Sequence, residues 1–168
     1  MPKIIENLKD RLLAEAKRQI DQDGYDSVTI RSIAKGCGVG VGTVYNYFPS
    51  KEALIATHLL EDWHGCLEAI QAAAAVSTVP QPVLQCMYDQ LMGFTGRHET
   101  IFRTEAAASG FAGSFRQYHS LLRSQLAAPL CKFCGNDFTA QFIAESLLTW
   151  TMAGKSFEDI YEILKKLF

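Results

Sequence analysis

Residues 28–51, VTIRSIAKGCGVGVGTVYNYFPSK, set two helical patterns around a glycine-rich turn in very little chain, and no other stretch restricts the fold as much. Thr29 is placed to cap a helix whose inward positions are Ile30, Ile33 and Ala34, leaving Arg31 and Lys35 outward. That helix is expected to end near Gly36, because Cys37-Gly38 supplies a residue that turns at positive φ without steric cost. Val39 returns to the core, and a second helix is expected from about Val41 to Phe48. Val44 and Phe48, four apart, share its inner face, and Pro49-Ser50 stops it. Helix, glycine turn and helix is the layout that delivers a second helix to the DNA major groove, although the same geometry also serves hairpins that merely pack. The glycines at 36, 38, 40 and 42 do not form a phosphate-cradling loop. Val41 and Thr43 stand where a G-x-G-x-x-G motif needs its last glycine, no Gly-Lys-Ser/Thr follows, and the chain before them reads as helix where such loops follow a strand.

The segments VTIRSIA and GVGVGTVYNYFPSKEAL, in that order and spacing, resemble the amino-terminal DNA-binding segment of the TetR/AcrR family of transcriptional repressors. The resemblance reaches back to about Ile4 and covers roughly the first third of the chain. It implies an all-α homodimer with a helix-turn-helix head (1–50) and a larger helical domain for ligand binding and dimerisation (51–168), about nine helices in all. It also implies a palindromic double-stranded operator and a small-molecule effector that releases it.

Within the head, Arg31 is the candidate for a base contact, since a guanidinium can bridge both acceptors of guanine. Val41 and Thr43 would be the first side chains over the groove, offering methyls to thymine and one hydroxyl. Gly42 lets backbone N–H groups at a helix start approach a phosphate. Tyr45 and Tyr47 have phenols able to reach phosphate, and Asn46 a phosphate or a base edge. Thr29 completes the expected contact set. For Lys51 the resemblance implies a grip on phosphate.

Composition limits the alternatives. At 48% hydrophobic and 20% charged, the 168 residues read as an ordinary globular protein. No apolar run reaches a membrane span's length and no signal peptide opens the sequence, so a cytoplasmic protein without membrane partners is expected. Residues 1–51 carry eight Lys/Arg (Lys3, Lys9, Arg11, Lys17, Arg18, Arg31, Lys35, Lys51) against six acids (Glu6, Asp10, Glu15, Asp21, Asp23, Asp26). With a whole-chain net charge of −2, the head is +2 and the remainder −4. The asymmetry suits a DNA-binding end but is mild, so affinity is expected to need two heads on one duplex. Four histidines (His58, His64, His98, His119) are scattered, and no nucleophile, base and orienting group stand together; no enzyme, cofactor or catalytic residue is expected. Cys131-Lys-Phe-Cys134 has C-x-x-C spacing but lacks the further ligands of a structural zinc site, so no metal site is expected. A thiol- or metal-responsive regulator, and a helical interaction module that has lost DNA binding, stay as alternatives.

Along the chain, Ile5, Leu8, Leu12, Ala16 and Ile20 mark a first amphipathic helix closed by Gly24. A long fourth helix from Ser50 to about Ala75 leads from head to body. Helices follow at about Val83–Gly96, Glu99–Ala108, Phe111–Phe133 and 137–153, and a last one after Ser156. Inward aromatic and thioether residues supply pocket candidates for an apolar or aromatic ligand: Trp63, Cys66, Met87, Tyr88, Met92, Phe94, Phe102, Phe115, Tyr118, His119 and Trp150. The strongly apolar eighth helix and the short amphipathic last one hold more apolar surface than a monomer needs to bury. The resemblance places dimerisation on the last two long helices, here Phe138, Phe142, Ile143, Leu147, Leu148, Ile160, Ile163, Leu164 and Leu167.

Overall fold

A computed structural model describes residues 7–103 and 119–168. The expected pocket residues Phe115 and Tyr118, the second half of the expected sixth helix and the first part of the seventh lie outside the described residues. Among the described residues the chain is all-α: α1 Leu8–Asp23, α2 Ile30–Cys37, α3 Val41–Tyr45, α4 Lys51–Val76, α5 Gln81–Arg97, α6 Glu99–Phe102, a helical run at 119–127 (α7), α8 Asp137–Met152 and α9 Phe157–Leu164. No helix among them is long and apolar enough to cross a membrane.

The described chain forms two compact units, residues 7–61 with 98–103, and residues 62–97 with 119–168. The expected border at residue 50 thus differs from the grouping by compactness, which keeps residues 51–61 of α4 with the head. Two contacts illustrate why: Lys51 Nζ donates to the Tyr25 carbonyl at 2.5 Å, and Lys9 pairs with Glu61 at 2.9 Å.

In the first unit α1 is the brace. Leu8, Leu12, Leu13, Ala16 and Ile20 are buried along one face. Gly24 ends the helix at φ 81°, where its N–H reaches the Ile20 carbonyl at 3.0 Å. Beside that face lies a polar cluster centred on Glu15, which accepts from Arg18 Nε and Nη2 (2.9 and 2.6 Å) and from Gln19 Nε2 (2.7 Å). A Cβ at Gly36 would overlap the Glu15 side chain, so α2 approaches α1 closely because that position has none.

The second unit has its own core, built from Trp63, Ile70, Leu84, Met87, Leu126, Leu130, Ile143, Leu147 and their neighbours. α8 is apolar nearly all round, but only one arc points inward: Ala140, Ile143, Ala144, Leu147, Leu148 and Thr151 are buried. Asn136 caps it, accepting from the Thr139 N–H at 2.9 Å, and Ser156 caps α9 through the Asp159 N–H at 3.2 Å.

The Arg18 and then the Gln19 hydrogen bonds hold the Glu15 carboxyl at a pKa of about 2, well below the usual range. A folded-state pKa below the unfolded one means that this stabilisation is complete above about pH 5 and is lost as pH falls toward 2. Glu15→Gln is therefore expected to lower stability at neutral pH and to flatten its decline between about pH 5 and pH 2. Denaturant midpoints measured across that range check this.

Candidate nucleic-acid interface

The α2–α3 pair begins with a reciprocal cap. The Ser32 N–H donates to Thr29 Oγ1 at 3.0 Å, and the Thr29 N–H donates to Ser32 Oγ at 3.0 Å, which satisfies two backbone donors at once. The Ser32 hydroxyl also donates to Gln19 Oε1 on α1 at 2.6 Å. The far end is fixed as firmly. Gly38 sits at φ 67°, Val39 N–H reaches back to the Ala34 carbonyl at 2.9 Å, and Gly38 N–H to that of Lys35 at 3.2 Å. Arg11 Nη2 binds the Cys37 carbonyl at 3.1 Å, tying that end of α2 to α1. The turn falls at Gly38 as expected, with α2 running through Gly36 to Cys37.

α3 is shorter than its apolar spacing suggests, covering Val41–Tyr45 rather than extending to Phe48. Its start has no side-chain cap, because Gly40 has no acceptor to offer. Past Tyr45 the chain tightens into a turn, and the Tyr47 and Phe48 N–H groups both bind the Val44 carbonyl (3.0 and 2.9 Å). Val44 and Phe48 remain the anchors, at 0% and 3% exposure. The side chains between and around them project outward: Tyr45 and Tyr47 are 53% and 44% exposed, and Asn46 and Gly42 are exposed. Thr29 and Arg31 are exposed on α2, while Val41 and Thr43 are half-buried at the start of α3. Two exposed tyrosines flanking an exposed asparagine give a surface of phenol and amide donors at the end of α3, a combination suited to phosphate oxygens.

Lys51, for which the resemblance implies a grip on phosphate, is half-buried at the start of α4. Its ammonium lies 3.9 Å from the centre of the Tyr25 ring as well as on the Tyr25 carbonyl, and burial lowers its pKa. It works here as a clamp between the start of α4 and the turn after α1. The sequence reading also missed Ser32, Gln19 and Arg11. Threonine three residues before a hydroxyl donor was the available signal for Ser32, but nothing local marks Gln19 or Arg11, whose partners lie 13 and 26 residues away. The histidines are less scattered than their spacing suggests: His98 is buried, with its ring edge-on to that of His58 at 5.3 Å.

The structure divides the pocket candidates. Trp63, Cys66 and Met87 are buried in the core of the second unit, where Trp63 meets Phe94 edge-on at 5.4 Å. Tyr88 packs beside that core and donates to the Lys155 carbonyl at 3.0 Å. Met92 and Trp150 are 43% and 50% exposed, Phe102 belongs to the first unit, and His119 faces Glu145 at 3.6 Å. The interface candidates divide too. Ile143, Leu147, Leu148, Ile160 and Leu164 are buried within their own chain, on the inward arcs of α8 and α9. Phe138, Phe142, Ile163 and Leu167 are exposed.

Residues 12–57 match the family model described as bacterial regulatory proteins, tetR family. The HTH-type transcriptional regulator UidR of Escherichia coli (strain K12) is 37% identical over 54 residues, covering 32% of this chain and 28% of that protein. The HTH-type transcriptional repressor KstR of Mycolicibacterium smegmatis is 29% identical over 103 residues, covering 61% of this chain and 50% of that one. The chain thus spans between about a quarter and a half of these curated relatives. Two solved structures extend the likeness in fold to nearly the whole chain. A transcriptional regulator, SCO7518, of Streptomyces coelicolor superposes with a TM-score of 0.70 at 16% identity, covering 95% of this chain and 96% of that one. FadR of Thermus thermophilus, a TetR-family repressor crystallised with lauroyl-CoA, does so with a TM-score of 0.65 at 21% identity, covering 95% and 92%.

Removing one base-reading guanidinium costs about 1–3 kcal/mol of discrimination. Arg31→Ala is accordingly expected to weaken binding to a preferred duplex about 5- to 150-fold and to relax preference at one base pair per half-site. Lys35→Ala is expected to weaken all duplexes alike, and anisotropy titrations against matched and mismatched duplexes separate the two.

Proposed function

Through residues 12–57 the chain belongs to the TetR family of bacterial regulatory proteins, and on that premise we propose that it acts as a homodimeric transcriptional repressor, released from a palindromic operator by a small apolar or aromatic ligand. The observation that carries the proposal is the α2–α3 pair, capped at both ends and braced by α1, with Arg31, Tyr45, Asn46 and Tyr47 exposed along it. α3 enters the major groove, Arg31 reads a base from the neighbouring helix, and the phenols and helix-start N–H groups hold phosphate. Two such heads read half-sites about 34–36 Å apart, or a multiple of that spacing.

The exposed Phe138 and Phe142 of α8 and Ile163 of α9 supply the dimer contact, since outward rings of this size are costly to leave in water. The effector binds in the second unit and favours a dimer whose heads are wrongly spaced for the operator. A coupling of about 1–3 kcal/mol weakens operator binding about 5- to 150-fold. The apolar core of the second unit, in which Trp63 and Met87 are buried with Phe94 packed against them, favours a largely hydrocarbon or aromatic effector.

Selection of sites from a random duplex pool is expected to enrich a palindrome with two equal half-sites. Failure to enrich any sequence at low salt would reject sequence-specific binding. The paired substitution Phe138→Glu with Phe142→Glu is expected to turn the dimer into a folded monomer in sedimentation equilibrium and to lower operator affinity at least about 100-fold, by loss of the second head.

A further inference from the structure

The segment 128–136 joins α7 to α8 by a short 3₁₀ turn, Ala128–Leu130, followed by Cys131-Lys132-Phe133-Cys134. Its two cysteines occupy different surroundings. Cys131 is exposed, and its Sγ leans back toward the Ala127 carbonyl at 3.5 Å. Cys134 is half-buried and packs with Phe133 against the core. The lysine between them reaches to another helix: Lys132 Nζ donates to the Ala74 carbonyl and, at 2.7 Å, to that of Ser77, while lying 4.6 Å from the Phe133 ring centre. Those two carbonyls belong to the end of α4, where the last helical C=O groups have no partner in the helix and the macrodipole is negative. A cation there completes both requirements, so Lys132 acts as a C-terminal cap supplied from a distant part of the chain.

We propose that Cys131 and Cys134 are a peroxide-oxidisable dithiol, and that closing their disulfide withdraws Lys132 from the carboxyl end of α4. The exposed Cys131 receives the oxidant. Its thiolate sulfur attacks one peroxide oxygen, the S–O bond forms as the O–O bond breaks, and hydroxide leaves to become water. The Cys134 sulfur then attacks Cys131 sulfur; the S–S bond forms, the S–O bond breaks, and the hydroxyl departs as water with the Cys134 proton. Two thiols and one peroxide become one disulfide and two waters.

The mechanical consequence follows from the spacing. A disulfide needs Cβ atoms about 3.8 Å apart with a fixed torsion about the S–S bond, and here only two residues lie inside the ring. Forming the disulfide removes the Cys131 S–H and with it the bond to the Ala127 carbonyl, and the small ring that closes constrains the backbone of Lys132 and Phe133. The two lysine bonds to α4 depend on that backbone. Cys66 and Cys86 are less suited: Cys66 is buried and Cys86 half-buried, whereas Cys131 is exposed to an incoming oxidant. The inference concerns the second unit alone and does not rest on DNA binding.

The test uses the full chain, reduced and then treated with stoichiometric hydrogen peroxide. Alkylation and peptide mass mapping are expected to show loss of two hydrogens in the peptide carrying Cys131 and Cys134, and no such loss in Cys131→Ser. Amide hydrogen exchange in residues 73–78 is expected to quicken at least about tenfold on oxidation and to stay slow in peroxide-treated Cys131→Ser. Reduced Lys132→Met is expected to show the same quickening without peroxide. A disulfide elsewhere, no disulfide at all, or a Cys131–Cys134 bond that leaves exchange at 73–78 unchanged would each overturn the proposal.

Discussion

A helix of five residues cannot hold its own shape in water, and α3 is such a helix. Nucleating a turn fixes several dihedral pairs for one hydrogen bond, and five residues never recover that cost by propagation. Everything around α3 supplies the missing order. Val44 and Phe48 anchor it from within, and Gly38 sets the angle at which the chain enters it. α2 is itself held at one end by the Thr29–Ser32 cap linked to Gln19, and at the other by Arg11 on the Cys37 carbonyl. The surface offered by Tyr45, Asn46 and Tyr47 is therefore a product of α1, which is why a brace of sixteen residues accompanies a presenting helix of five.

That dependence explains what could be read from the sequence. Thr29, Gly38, Gly24 and the buried faces of α1 and α2 follow from local rules of capping and periodicity, and the structure keeps them. The features that escaped depend on partners far along the chain. Lys51 is 26 residues from Tyr25, Lys132 is 58 from Ala74, and His58 and His98 meet across forty residues of sequence. Local pattern also failed at the end of α3. Val44 and Phe48 are spaced for a helix, yet spacing by four is equally met by a helical turn that tightens after Tyr45.

The same limit appears in α8. Apart from the stripe of Asp137, Gln141, Glu145 and Thr149 its composition is largely apolar, so periodicity alone could not separate core from outer surface. The structure separates them. Ile143 and Leu147 point inward, whereas Phe138 and Phe142 lie outward with ring centres 6.4 Å apart. A residue that fills its own core has little left to offer a partner, so apolar character alone is a poor guide to an interface. The informative quantity is a large side chain that stays exposed after its own unit has folded.

Charge gives the last link. Of the described cations in the head, Lys9 pairs with Glu61, Arg11 binds Cys37, Arg18 binds Glu15 and Lys51 binds Tyr25. Among the described residues this leaves Lys17, Arg31 and Lys35 without an internal bond. Each phosphate neutralised contributes about −0.9 to the slope of log affinity against log salt, so these three cations, were all of them placed on phosphate, would contribute about −2.7 per head. Two heads on one duplex double the slope to about −5.4 and make the second contact intramolecular. In the proposed dimer, the second head would supply the affinity that the internal use of these cations takes from the first.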